Sequence, residues 1–275
     1  MLHTHQRKVF SYKNEPNMRI VVIGSGNVAE SLAQAIAEAE GLELVQLYAR
    51  NEERGRKVAE LAHTEWGNTS LAEADLYLIS VSDNAVADVA KSLSIPAEAV
   101  VAHTAGCCPI ESLAPHANRA VFYPFQTFSV GRKVDFQQGY IFVEGATDHA
   151  LQVVEKVAHA LTNNVLPADS ARRAVIHLSG VFACNFANAM YANAAEVLAK
   201  EGLPFDIVAP VIAETAKKVI ESKDPAKSQT GPARRGDTQT LERHRAMLND
   251  NARTKEIYDK ISEDIWERTK ISKSF

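Results

Sequence analysis

The sequence predicts a doubly wound, mostly parallel α/β domain followed by an all-helical domain. Three observations predict it. Short apolar runs alternate with amphipathic helical stretches over the first part of the chain. Several of those runs are apolar on both faces, as strands covered by helices on both sides must be. After Asp169 no strand-like run remains. A length of 275 residues suits two domains of roughly 150 residues each. We place them at 18–167 and 168–275.

The first 17 residues are polar and mixed. They hold no apolar run of the length a signal peptide needs, so secretion is not expected. Met18 stands directly before the first strand, which makes it a candidate start beside Met1. That strand is RIVVIG at 19–24, and a glycine-rich turn joins it to a helix over Asn27–Ala39. The second strand, LELVQLYA at 42–49, leads to a helix over Glu52–Ala62. The third, ADLYLISV at 74–81, runs into Ser82-Asp83, residue types that cap helices, before a helix over Ala85–Leu93. Strands AVVAHTAG at 99–106, RAVFYPF at 119–125 and GYIFVEG at 139–145 follow, then a helix over Asp148–Leu161. Their Val, Ile, Leu and aromatic content is what a pleated, covered surface selects.

Asp169–Lys200 reads as one helix, about 45 Å long at 1.5 Å per residue. Gly202 and Pro204 stop it. A helix over Phe205–Ser222, a loop rich in Pro, Gly and charge at 222–237, and helices over Thr238–Leu248 and Thr254–Lys270 complete the chain.

Composition excludes several classes. Lys and Arg number 30 against 34 Asp and Glu, a net charge of −4, and no basic stripe marks a nucleic-acid binder. No stretch reaches the roughly 18 uninterrupted apolar residues of a membrane span. Cys107, Cys108 and Cys184 are too few for a disulfide framework, and no Cys/His spacing suits zinc. We expect reduced thiols, a cytoplasmic protein and no metal.

The turn Gly24-Ser25-Gly26-Asn27-Val28-Ala29 carries the strongest functional signal. It follows a strand and opens a helix, the context that marks a dinucleotide site. Gly24 permits the tight turn. Gly26 lets a pyrophosphate approach the backbone, and Ala29 replaces the third glycine of the pattern. Free amides at the helix start then hold the phosphates. An NAD site places an acid at the tip of the second strand. Here that tip reads Tyr48-Ala49-Arg50-Asn51, so Arg50 offers a planar fork to the 2′-phosphate of NADP. Arg54 and Arg56 would add positive charge one turn on. The alternative is a solvated Arg50 paired with Glu52 or Glu53.

Ligands of open α/β sheets bind beyond the carboxyl ends of strands. Val81, Ser82 and Asp83 end the third strand, and His103 and Thr104 end the fourth. His103 would lie by the nicotinamide and exchange a proton near neutral pH, unless it is a structural histidine. On the long helix, at about 100° per residue, His177, Cys184 and Asn188 fall within about 40° of one stripe. Arg173 precedes His177 by a turn and Asn185 adjoins the stripe. The helix is apolar or small nearly all round, so it is expected in a core or an oligomer interface. Its polar stripe either orients a substrate, with His177 as proton donor or acceptor, or links helices in the core. Arg234 and Arg235, in the rigid-looking turn at 230–237, are suited to clamping an anion.

GSGNVA, ARN, VSD and HTAG at the ends of the first four strands resemble the nucleotide-binding domain of a superfamily of reductases. It includes pyrroline-carboxylate reductases, ketopantoate reductases, 6-phosphogluconate and β-hydroxyacid dehydrogenases, and deazaflavin-dependent NADP reductases. HLSGVFACNF at 177–186 and TGPARRGD at 230–237 resemble the C-terminal hallmarks of one bacterial family within it, Rossmann-like NADP oxidoreductases with a helical C-terminal domain of uncharacterised function. The resemblance implies an NADP-binding Rossmann domain, a helical domain like that of 6-phosphogluconate dehydrogenase, and a homodimer built through the helical domains. It does not extend to the lysine of the β-hydroxyacid dehydrogenases. That lysine stands four residues before an Asn, and with Asn185 as the Asn the position holds Val181.

These readings converge on an NADP-dependent oxidoreductase acting on a small anionic substrate. His103 and His177 are the candidate proton carriers, and Asn185 and Arg235 the substrate contacts. The cofactor contacts are Gly24, Ser25, Gly26, Asn27, Val28, Arg50, Asn51, Val81, Ser82, Asp83 and Thr104. The alternative is a non-catalytic NADP-binding protein, a redox sensor or interaction module.

Overall fold

The structure is a computed structural model that describes residues 16–273. The readings above that fall on residues 1–15 lie outside it. The first part of the chain is a single eight-stranded sheet: β1 Met18–Ile23, β2 Leu42–Tyr48, β3 Trp66–Gly67, β4 Leu76–Ile79, β5 Val100–His103, β6 Arg119–Phe125, β7 Tyr140–Gly145 and β8 Val165–Pro167. Their spatial order is β3-β2-β1-β4-β5-β6-β7-β8. Neighbours pair parallel except β6 with β7, which run antiparallel. Four helices accompany the strands: α1 Asn27–Glu38, α2 Glu52–Leu61, α3 Val86–Ser92 and α4 Asp148–Leu161.

Alternate residues of the strands feed two cores. Ile20, Val22, Leu76, Leu78, Ala102 and Phe122 pack with α1 and α4. Val21, Ile23, Tyr77, Ile79 and Val101 pack with α3. That two-sided burial is why the runs read as apolar on both faces, and each large side chain so enclosed contributes roughly 1.5–3 kcal/mol. The chain leaves β1 for β2 on one side and returns to β4 on the other. This reversal opens a crevice at the carboxyl ends of β1 and β4, the place where such sheets take ligands.

Strands β3 and β8 escaped the sequence reading because two or three residues cannot show a period. They form only because β2 and β7 offer edges to pair with. Side chains fix several helix starts: Asn51 accepts from the amide of Arg54 (2.9 Å), Thr147 from Ala150 (3.1 Å) and Asp169 from Arg172 (2.8 Å).

Beyond β8 the described residues are helical. The expected single long helix is three consecutive pieces: α5 Ser170–Gly180, a π-helical segment Val181–Phe186, and α6 Ala187–Ala199. The wider π turn breaks the 3.6-residue period, so a stripe projected at constant angle from His177 to Asn188 does not hold. Nor is the helix enclosed: between 170 and 199 only Arg173 is buried. Then come α7 Ala209–Ser222, α8 Pro225–Ser228, α9 Pro232–Arg235, α10 Thr238–Met247 and α11 Ala252–Lys273. The expected loop at 222–237 thus contains two short helices, and Asp237 caps α10 by accepting from Thr240 (3.1 Å). The chain divides into two compact units, one ending at Cys184 and the other Asn185–Phe275, with the division inside the π segment.

Candidate active site

The turn after β1 separates two reasons for a glycine. Gly24 has φ +131°, and a Cβ on it would lie 2.1 Å from the carbonyl oxygen of Ser80. The fold itself therefore demands glycine there. Gly26 is different. Its φ is −75°, open to any residue, and a Cβ would meet no protein atom within 4 Å. Neither backbone nor packing explains its missing side chain, so the space above it is free for a ligand. Gly26 is also the N-cap of α1 and makes no side-chain cap. The first helical bond runs from Glu30 N to Gly26 O (2.9 Å), which leaves the amides of Asn27, Val28 and Ala29 without acceptors in the helix. An anionic pyrophosphate fits that cradle. Ala29 is fully buried against the sheet, as the third position of the pattern requires.

At the tip of β2, Arg50 is exposed and forms no ion pair among the described residues. Its alternative partner Glu52 pairs with Arg56 instead (2.9 Å), and Arg56 also lies over the Trp66 ring at 4.4 Å. Arg54 pairs with buried Glu30 and donates to the Ser25 carbonyl (3.1 Å). The expected triple positive cluster is thus corrected: two of its charges are spent within the protein and Arg50 remains. Asn51, expected to touch the cofactor, caps α2.

At the end of β4, Val81 is half-buried and Ser82 and Asp83 are exposed. The capping role considered for the latter two is not seen, since neither the following 3₁₀ turn nor α3 has a side-chain cap. Thr104 hydrogen-bonds Ser80 through its hydroxyl (3.2 Å). His103 needs correction as a proton carrier. It is 0% exposed, its Nδ1 accepts from the Ala105 amide (3.2 Å), and Nε2 has no hydrogen-bond partner. Burial, then the positive charge of Arg173, lowers its pKa to about 4 against an opposing Pro109 carbonyl. The ring is a neutral, enclosed group at neutral pH.

His177 lies on α5 beside Tyr123. It is half-buried, and its Nδ1 stands 3.2 Å from the hydroxyl of Tyr123. Val121 of β6 pairs with His103, the last residue of β5, so Tyr123 sits past the carboxyl end of that strand. Gly106 makes room for the pair: a Cβ there would be 2.5 Å from His177 Nδ1 and 3.0 Å from the Tyr123 ring. Arg173, one turn earlier on α5, is 1% exposed. It binds Glu144 of β7 (2.5 Å) and the Cys108 carbonyl (2.5 Å), which pins α5 to the sheet and sets the facing of His177. Sequence reading missed Tyr123 and Glu144 because each sits inside an apolar strand run, where no local signal separates it from a core or edge residue.

The remaining candidates lie on the π segment and beyond it. Cys184, Asn185 and Asn188 are exposed on the π segment and α6. Arg235 lies on α9 of the second unit, exposed and 4.0 Å from Asp237. Val181 opens the π segment, and no lysine replaces it. Among the described residues no group of His, Cys, Asp and Glu could hold a metal ion, and no helix is long and apolar enough to cross a membrane.

Residues 19–106 match the family described as NADP oxidoreductase coenzyme F420-dependent, and residues 139–265 match a domain of unknown function. A Bacteroides fragilis protein described as an NADP oxidoreductase is 39% identical, with 91% of this chain and 98% of that one covered and a TM-score of 0.86. A Thermotoga maritima protein is similar at 21% identity, covering 91% and 99%, with a TM-score of 0.78. A reductive aminase from Aspergillus terreus, solved with NADPH and ethyl levulinate, shares the fold at 12% identity, covering 90% and 93%, with a TM-score of 0.68. No curated protein matches the chain.

Proposed function

The chain belongs to the family of NADP oxidoreductases that includes the Bacteroides fragilis protein, and we propose that it transfers a hydride between NADP and a small anionic substrate beyond the carboxyl edge of the sheet. The observation that carries this is Gly26, a glycine required by neither φ nor packing at the free start of α1. In this reading the turn Gly24-Ser25-Gly26-Asn27-Val28 holds the pyrophosphate, with amides from Asn27 on donating to it while the Gly24 amide stays bonded to the Tyr48 carbonyl (2.9 Å). Arg50 and Asn51 take the phosphorylated ribose, and Val81, Ser82, Asp83 and Thr104 border the nicotinamide. Bound there, NADP supplies the hydride chemistry. His177 gives or takes the accompanying proton through the ring nitrogen that faces away from Tyr123. The anionic character of the substrate is inferred from the sequence, where Arg234 and Arg235 are adjacent guanidinium groups.

We further propose a homodimer. Val175 and Leu178 lie three residues apart on α5 and are 69% and 56% exposed, an apolar pair that a second copy would cover. A monomer mass in sedimentation would refute it. The three free thiols suit a reducing cytoplasm, which cell fractionation checks.

The test of function is NADPH binding by fluorescence, then NADPH oxidation with a panel of keto acids, imines and flavins. Turnover on a keto acid or an imine supports the proposal. Binding with no turnover on any of them favours a redox sensor, and absence of binding overturns both.

A further inference from the structure

We propose that Tyr123 is a positioning residue that holds His177 in the tautomer with its proton on Nε2. The proposal rests on the reading of His177 as proton carrier and adds how its proton is placed.

The hydroxyl of Tyr123 and Nδ1 of His177 lie 3.2 Å apart, so one of them donates. Tyr123 is 9% exposed, and its hydroxyl has no other hydrogen bond among the described residues. Were Nδ1 the donor, the hydroxyl hydrogen would be left without a partner in an enclosed place, at a cost of roughly 1–3 kcal/mol. With the hydroxyl donating, both groups are satisfied. The ring then carries its proton on Nε2, which has no partner among the described residues and is not enclosed.

The surroundings keep the phenol a donor. Burial above all, then Cys107, pushes its pKa up to about 12, with Asp83 adding and Arg173 opposing. It therefore stays protonated from neutral pH to well into the alkaline range. The ring itself packs against Phe125 and Phe142, with centroids at 6.2 and 6.4 Å, in a cluster of three rings. From the other side Gly106 removes the one Cβ that would push the imidazole away. Two residues 54 positions apart are thus fixed on each other.

The experiment is a two-bond proton–nitrogen correlation spectrum of the full chain labelled with nitrogen-15 in histidine, taken at alkaline pH where imidazoles are neutral. In the parent protein His177 should show a protonated Nε2 and a bare, hydrogen-bonded Nδ1. Tyr123→Phe keeps the ring packing and should shift the Nδ1 resonance to that of an unbonded acceptor, with loss of the single tautomer. Gly106→Ala should give the same signature by displacing the imidazole. A parent spectrum with Nδ1 protonated, or one unchanged in Tyr123→Phe, overturns the proposal. The spectrum reads no turnover, so its failure leaves the hydride-transfer reading standing, and a failed turnover panel leaves the tautomer result standing.

Discussion

Substituting the two glycines of the first turn separates folding from cofactor binding. In Gly24→Ala the new Cβ meets the Ser80 carbonyl at 2.1 Å while φ is +131°. The strained backbone costs about 1–3 kcal/mol, and pushing β4 away costs a further 1–3 kcal/mol or so. Taken together, about 2–6 kcal/mol is lost, roughly 5–20 °C in Tm for a unit of this size. In Gly26→Ala the Cβ enters empty space at φ −75°, so stability should stay within about 0.5 kcal/mol of the parent. That same Cβ occupies the approach of the pyrophosphate. NADPH affinity should fall at least about tenfold, equivalent to 1.4 kcal/mol. Thermal unfolding without cofactor and fluorescence titration with NADPH measure both effects. A Gly26→Ala protein that binds NADPH as the parent does would refute the pyrophosphate cradle. One that loses stability like Gly24→Ala would refute the reading of Gly26 as free of structural duty.

Arg50→Ala should weaken NADPH binding by roughly ten- to hundredfold, the worth of a charge-assisted contact of about 1.5–3 kcal/mol. NADH affinity should be unchanged, and equal losses for both would remove the 2′-phosphate from its role. His103 should leave a mark on acid stability. Its folded pKa is lowered from 6.5 to about 4, so between those values the unfolded chain binds the extra proton. The stability from its neutral burial is complete above pH 6.5 and is lost as pH falls towards 4, by about 3 kcal/mol. Unfolding of the parent and of His103→Gln across that window measures the difference. A ring that titrates near 6.5 in the folded protein would restore His103 as an exchangeable group.

The longer strands and the helices of the first domain were legible because their patterns are local. A strand covered on both faces writes a continuous apolar run, and a capped helix writes its start in one residue such as Asn51 or Thr147. The glycine turn was equally legible, since φ and the free amides of a helix start belong to a few adjacent residues. The polar residues were not. His103 stands in the same HTAG run as Thr104 and Gly106, yet it is 0% exposed, with strands paired on both sides of it and the charge of Arg173 from α5 acting on it. By its place in the sequence Arg54 adds positive charge beside Arg50, but in the fold it pairs with Glu30 of α1. The stripe from His177 to Asn188 failed at the π segment, where one wider turn changes the angle of everything after it.

By itself, then, the sequence determined the layered α/β domain, the helical second part and the dinucleotide turn, because each arises from the backbone and its neighbours within about one helical turn. The tertiary structure decided which charges are paired within the protein and which histidine is enclosed. Those properties depend on desolvation and on partners such as Tyr123, Glu144 and Arg173, far apart in the chain and brought together only by the fold.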